Sequence, residues 1–471
     1  MPRMEIRVSE DEVRAADVGK VDIIHDEKAQ DITAITSAFA NLTYAGYAAS
    51  VIGSIIANEG FIRQFATVTD SETGARVLAS THFNMWALTV FLTASIIISI
   101  VPKTWEVILV SRISSAMPQF RGALLASFSL FFAVGQLFLA VGLKILEDTA
   151  PLEFRNIFYS EFVLFGLWLI PMVYLPESPV WYALHDRPDD AKKALCRLVG
   201  NVEGYDVDHE YDVIKYEADE STRIQLQSGN TEWRAFFTRT NMKRTIISTL
   251  PFTMQNFVGA PLFFKYATYF FSLAQLDDPF LGNLIIQLVL VAGIISSFYL
   301  VDKTGRRTLV LIGGAFMSLL CFIVGGLSFL TPNAATGSAL VALSSVWAFT
   351  YAVSVAPIGW ISLVEVSSPL FRAKTTALAS IIQSASGVLF NYTVPLMLSN
   401  QNAGWGQKIG LFFGGISVIY MIPVFLMFPE TKGRTYQELD ELFERRVKAW
   451  NFAETETSHQ RSVDARLGHA S

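Results

Sequence analysis

Cysteine is nearly missing from this chain: Cys196 and Cys321 are the only two in 471 residues. One falls in a polar stretch and the other in an apolar run, which excludes a disulfide framework as the source of stability. Charge is also scarce, at 17% of residues, and it gathers in a few polar segments. No basic stripe calls for a nucleic-acid partner. The His, Cys and carboxylate spacings form no metal site. There is no Ser-His-Asp arrangement and no glycine-rich phosphate loop. No cofactor is implied, and an enzyme is the least favoured class. The first 31 residues are polar and charged, so no cleavable signal peptide is expected, and the first apolar span serves as its own insertion signal.

Apolar residues are abundant. They make up 52% of the chain, Phe alone occurs 36 times, and mean hydropathy is +0.39. A soluble core does not need this excess, whereas a lipid-facing surface does. Crossing a bilayer takes about 20 helical residues. Runs near that length occur at 33–57, 84–101, 122–146, 157–175, 245–272, 281–301, 308–330, 338–363, 376–398 and 407–428. They predict an all-α membrane protein of about ten spans, with the lipid bilayer as its surroundings.

Positive charge orients these spans. Lys243 and Arg244 end a long polar connection, Lys303, Arg306 and Arg307 crowd a very short loop, and Lys432 and Arg434 follow the last span. The positive-inside rule puts all three on the cytoplasmic side, and an even number of spans then places both termini there. The chain divides into a cytoplasmic N-terminal segment (1–32), a shortened N-terminal helical bundle (33–175), a cytoplasmic linker (176–244), a C-terminal six-helix bundle (245–428) and a cytoplasmic tail (429–471). The tail is expected to be polar and flexible beyond Arg446.

The two bundles look related. Pro118-Gln119-Phe120-Arg121 resembles Pro369-Leu370-Phe371-Arg372, and Pro176-Glu177-Ser178 resembles Pro429-Glu430-Thr431. Arg121 precedes Glu177 by 56 residues, and Arg372 precedes Glu430 by 58. Duplicated helical bundles are a transporter signature, with the substrate site between the halves near mid-membrane. Upstream of Arg121 the first half is about 39 residues short, which is room for about two spans. The halves therefore hold four and six spans.

Asp302-Lys303-Thr304-Gly305-Arg306-Arg307, Pro176-Glu177-Ser178-Pro179-Val180-Trp181 and Pro429-Glu430-Thr431-Lys432-Gly433-Arg434 resemble the signatures of the sugar porter family of the major facilitator superfamily, and within it the fungal hexose and α-glucoside carriers. The resemblance covers about 30–445 and implies the major facilitator fold of two facing bundles. That family has twelve spans, and against its pattern the second and fourth are missing here. The implied activity is transport of a hexose or small α-glucoside by alternating access, with the plasma membrane as location by analogy. The alternative is a transport-inactive relative, either a sugar sensor or the product of a shortened gene.

The resemblance also implies roles for particular residues. Asp302, Gly305, Arg306, Arg307, Glu365 and Arg372, with Arg121, Glu177 and Glu430, match a network that latches one conformation. Physically, Gly305 suits a tight interhelical turn, and arginines at helix ends pair with carboxylates and terminal carbonyls. Sugar recognition needs amides and hydroxyls with an aromatic face. Gln255 and Asn256 match paired glutamines, Asn256 keeping the amide. Trp360 matches a stacking tryptophan, Gln383 a sugar-binding glutamine, and Tyr266 the second of two tyrosines. Pro261, Lys265, Ser384 and Ser129 depart from the family's pattern. Interhelical hydrogen bonding is the plainer reading of Gln255, Asn256 and Gln383. For Lys265 it is snorkelling to the outer surface.

Proton coupling requires a carboxylate inside the membrane whose affinity for protons can be shifted. The family's symporters carry an aspartate after Gly-Tyr in the first span. Here Gly46-Tyr47 is followed by Ala48, which puts coupling at that site in doubt. Sugar entry into vesicles is therefore expected without proton uptake through this position. A pH-sensitive dye trapped inside would record the contrary result as acidification that an Ala48 substitution abolishes.

Overall fold

The computed structural model describes residues 118–160, 179–199, 206–227, 236–274, 276–330, 333–367, 371–399, 403–434 and 436–458, with a few isolated positions including Asn58. The expected spans 33–57 and 84–101, and most of 157–175, lie outside the described residues. So do Ala48, Glu177 and the side chains of Arg121 and Asp302. The chain separates into two compact units, Met1–Ala38 with Leu167–Ala235, and Phe39–Gly166 with Phe236–Ser471.

In the first unit the described residues form three helices, α2 (Pro179–Leu184), α3 (Pro188–Val199) and α4 (Val207–Gln227). α3 is strongly amphipathic. Its Ala191 and Leu195 pack with Ala183, Tyr211 and Ile214 into a small core. Exposed ion pairs rim that core, among them Arg187–Asp190 at 2.7 Å and Lys215–Asp186 at 2.6 Å. Such pairs at the surface add little stability. Cys196 is exposed on α3 and Cys321 is buried, and both are free thiols.

The second unit begins with a two-residue antiparallel pair, β1 (Val68–Thr69) and β2 (Arg76–Val77). It is the one departure from wholly helical structure among the described residues. α1 (Pro118–Thr149) follows. Then come α5 (Arg239–Phe257), α6 (Ala267–Leu273), α7 (Pro279–Thr304), α8 (Arg306–Leu327), α9 (Ala334–Val353), α10 (Val355–Glu365), α11 (Arg372–Leu398), α12 (Ile409–Met427) and α13 (Tyr436–Glu444).

Six helical segments among the described residues are long and apolar enough to cross a membrane: Ser129–Thr149, Pro279–Val301, Arg306–Leu327, Ala335–Glu365, Lys374–Leu398 and Gly406–Met427. On α7, Leu281, Ile285, Leu288, Ile295 and Tyr299 recur at helical spacing and are all exposed. Helical positions three and four apart share a face, and an apolar face left open in this way is a lipid-facing one. The opposite faces pack closely. A Cβ on Gly410 would stand 2.6 Å from the Gly325 backbone nitrogen, so α8 and α12 touch backbone to backbone, as small residues permit in membranes.

Local chemistry sets the boundaries. Asp278 caps α7 by accepting from the Leu281 N–H at 2.9 Å, and Pro279 supplies a helical φ at the first position. Asn333 and Thr336 form a reciprocal capping box on α9. The fifth expected span, 245–272, is helical at both ends but broken between them. Gly259 has φ +102°, Pro261–Lys265 forms a π-helical turn, and α6 resumes at Ala267. Apolarity marks the length of such a segment but not its interruption. The span 338–363 is likewise divided between α9 and α10 at Ser354.

The tail is folded as far as Ser458, against expectation. Arg434 donates to the carbonyls of Phe452, Ala453 and Thr455 at 2.9–3.0 Å, and Glu438 accepts from the Thr457 hydroxyl at 3.1 Å. Leu439, Leu442 and Phe452 close a small core beneath them. One motif arginine and three apolar residues are enough to hold a polar segment here.

The exposed thiol of Cys196 tests the orientation. A membrane-impermeant maleimide is expected to leave the chain unlabelled in intact cells and to label Cys196 after permeabilisation. Labelling of intact cells would place the linker on the outside.

Candidate functional site

The interruption of α5 brings polar side chains into an apolar interior. Gln255 and Asn256 stand in its last turn, facing different neighbours. Gln255 Oε1 accepts from the Tyr351 hydroxyl at 2.7 Å. Its amide nitrogen lies against α10, where a Cβ on Gly359 would come within 2.6 Å of it. Asn256 Nδ2 donates to the Gln383 carbonyl at 3.0 Å and to Ser386 Oγ at 2.8 Å, both on α11. Beyond the break, Tyr266 donates its hydroxyl to the Asn391 carbonyl at 2.9 Å. Lys265 reaches Asn391 Oδ1 at 3.1 Å. Lys265 therefore turns toward α11 instead of snorkelling, because the π-helical turn rotates the chain there.

Trp360 is half-buried on α10 and packs edge-on against Phe252 at 4.7 Å. A second aromatic set lies beside Gln255. Trp347 stacks on Phe263 at 4.4 Å and on Tyr351 at 5.5 Å. Three amide atoms in this region are buried without a hydrogen-bond partner among the described residues: Gln255 Nε2, Gln383 Oε1 and Asn391 Nδ2. Leaving one such group unpaired costs about 1–3 kcal/mol. Buried amides left unpaired in this way are candidates to bond a polar molecule. Tyr351, Ser386 and Asn391 were not singled out from the sequence. Only their helical positions, facing the break in α5, distinguish them.

The motif residues meet at one end of the bundle. Arg306 Nη2 pairs with Glu365 Oε1 at 3.1 Å, and both side chains are largely buried. Thr431 donates its hydroxyl to Glu365 Oε2 at 2.6 Å. Glu430 has a different part from the one its charge suggests. Its carboxylate accepts the backbone N–H groups of Arg306 (2.9 Å) and Arg307 (3.1 Å), capping α8 as an anion at a helix N-terminus. The N–H groups of Thr431 and Lys432 complete its shell at 3.1 Å. Arg307 donates to the carbonyls of Phe425 and Phe428 at the end of α12.

Gly305 makes this arrangement possible. Its φ is +103°, and a Cβ there would lie 2.7 Å from Glu430 Oε2. Arg372 is buried, with Nε donating to Ser367 Oγ at 3.4 Å. Arg244, expected only to mark orientation, is buried as well. It donates to the carbonyls of Val366 and Ser367, pairs with Asp440 and stacks over Phe443 at 5.0 Å. The signal for it was a Lys-Arg pair at the start of a span.

α1 packs against the later helices, and two polar contacts mark that packing. Ser129 donates to the Ala356 carbonyl at 3.2 Å. Lys144 bridges Asp148 and Asp278, each at 2.6 Å. Burial pushes the Asp278 carboxyl up, but the Lys144 ammonium and the Leu281 N–H outweigh it and hold it below the usual carboxylate range.

A family model described as "Sugar (and other) transporter" matches residues 107–443. The general alpha-glucoside permease of Saccharomyces cerevisiae is 31% identical over 330 residues, covering 66% of this chain and 52% of the permease. The high-affinity hexose transporter ght4 of Schizosaccharomyces pombe is 27% identical over 368 residues, covering 76% of this chain and 63% of that protein. This chain thus spans about half the length of the first relative and under two thirds of the second. The inward-open xylose transporter XylE from E. coli superposes with a TM-score of 0.61 at 18% identity, over 87% of this chain and 99% of that one. XylE bound to 6-bromo-6-deoxy-D-glucose gives 0.58 at 19% identity, over 93% and 91%. At such identities these two structures speak for the fold alone.

Substituting Gly305 checks the junction. Gly305→Ala is expected to lower stability by about 1–3 kcal/mol, because alanine must take a left-handed backbone or displace Glu430. Thermal unfolding in detergent would show it, and an unchanged midpoint would mean that the loop can re-form without that φ.

Proposed function

Since this chain belongs to the sugar transporter family of the major facilitator superfamily, we propose that it carries a sugar, a hexose or a small α-glucoside, across a membrane by alternating access. The observation behind this reading is the set of unpaired buried amides on α5 and α11, with Trp360 nearby on α10. A pyranose ring carries hydroxyls that both donate and accept, so it can bond amides such as Gln255 Nε2 and Gln383 Oε1. Its C–H face suits an indole. In this reading Gln255, Gln383 and Trp360 touch the sugar. Asn256 and Tyr266 hold α11 in register through Ser386 and Asn391. The relatives named for α-glucoside and hexose transport support that substrate class.

Alternating access needs contacts that close one side and release the other. The Arg306–Glu365–Glu430 junction joins the α7–α8 loop, the end of α10 and the end of α12 at the face that positive charge assigns to the cytoplasm. The Lys144–Asp278 pair joins α1 to α7 at the opposite face. Its side chains are 21% and 34% exposed, so it contributes about 1 kcal/mol or less. That suits a contact that must break in each cycle. Where symporters of the family carry an aspartate this chain has Ala48, which favours a facilitator. The plasma membrane is the proposed location.

Reconstitution tests this reading. Purified full-length chain in liposomes is expected to take up labelled glucose or maltose. Gln255→Ala should raise the half-saturating concentration about tenfold, the worth of one or two hydrogen bonds. Binding without uptake would favour a sensor, and neither binding nor uptake would overturn the assignment.

A further inference from the structure

Where the last span ends, the folded tail leaves a cavity of about 370 Å³, away from the buried amides of α5 and α11. One wall is apolar, formed by Leu426 and Met427 in the closing turn of α12. Lys243, Arg446 and Lys448 also line it, with Trp450, which is 48% exposed. No carboxylate lines the cavity, and none of the three cations forms an ion pair among the described residues. Asp440, the acidic neighbour on α13, is taken by Arg244. Lys448 lies 5.5 Å over the Trp450 ring.

Arg446 is unusual in its backbone as well. It ends α13 with φ +53°, while the Val447 N–H bonds back to the Leu442 carbonyl at 3.1 Å. Glycine is the usual residue at this position of a helix terminus, because it takes that conformation without steric conflict. An arginine held there, lining the cavity and in no ion pair among the described residues, suggests that its charge is used.

We infer that this cavity binds the headgroup of an anionic phospholipid, with the acyl chains lying along Leu426 and Met427. The position supports a lipid. Met427 is the last residue of a membrane span, so the cavity sits at headgroup depth, where tryptophan also concentrates. Positive charge puts this end at the cytoplasmic leaflet, which is the anionic one. The phosphate chemistry could equally be met by a soluble anion, and the continuous apolar wall decides for a lipid. The inference rests on the membrane-spanning helices and is independent of the sugar assignment.

The test uses purified full-length chain in a neutral detergent, with thermal unfolding followed as short-chain dioctanoyl phosphatidylserine is added. The expected result is a rise in unfolding temperature with phosphatidylserine, and little or none with dioctanoyl phosphatidylcholine, glycerophosphoserine or inorganic phosphate. Removing one cation should weaken binding about fivefold. Arg446→Gly is the telling variant, because it relieves the backbone while removing the charge. It should unfold no earlier than the parent without lipid, yet bind phosphatidylserine more weakly. Lys243→Gln with Lys448→Gln should lower affinity further. Equal stabilisation by phosphatidylcholine would reduce the site to an apolar crevice. Equal stabilisation by inorganic phosphate would make it a soluble-anion site. Unchanged lipid affinity in Arg446→Gly would remove the arginine from it. Each of these three outcomes overturns the proposal.

Discussion

The second unit turns on one carboxylate, that of Glu430, which closes the N-terminus of α8. A 22-residue helix begins there without a side-chain cap of its own, and the first N–H groups of any helix need acceptors. Inside a membrane protein water cannot be relied on to supply them. Glu430 does so from 124 positions along the chain, and only because Gly305 leaves room for it. Three consequences follow from that placement. The α7–α8 loop is fixed to the end of α12. The Arg306 guanidinium is freed from Glu430 and turns to Glu365. Through Thr431 the same segment then reaches Glu365 from its other side. Removing either partner of a buried pair leaves the other charge stranded, which costs more than the pair is worth. The pair at this junction is therefore costly to break from one side.

The broken α5 stands at the opposite extreme of packing. A continuous helix would satisfy its own backbone and present only side chains. Gly259 and the turn at Pro261–Lys265 interrupt that ladder, and polar groups from α9 and α11 gather around the gap. Irregular backbone at membrane depth is tolerated where it is buried in protein or lines a cavity. The candidate sugar site and the interruption thus share a cause: both need polar groups that lipid does not meet.

Legibility in the sequence followed the range of the forces involved. Apolar runs are local, so α1, α7, α8, α11 and α12 fall within a few residues of their expected limits. The motif around Gly305 was legible because a left-handed turn demands glycine. What escaped were pairings between distant segments. Nothing near Arg244 indicates that Asp440 will meet it, and Glu430 looks like a partner for guanidinium until its backbone contacts are seen. The break in α5 escaped for a related reason. Pro261 was noted as a departure from a pattern, but its structural effect depends on Gly259 adopting positive φ two residues earlier. Composition registers polarity and so predicts a flexible tail, whereas Arg434 holds the segment through three backbone carbonyls.

These contrasts bear on how motion could pass between the two ends. α7 runs from the Lys144–Asp278 pair to the Gly305 junction, so one helix carries a partly exposed ion pair at its start and a more deeply buried one at its end. A change that must be reversible is better placed at the partly exposed end, where water can replace the lost partner. The buried end is better suited to setting which states exist. α1 meets this helix at its partly exposed end and meets α10 through Ser129 and the Ala356 carbonyl. α10 in turn carries Trp360 and ends at Glu365. α10, eleven residues long, therefore stands between α1 on one side and both Trp360 and the Glu365 junction on the other.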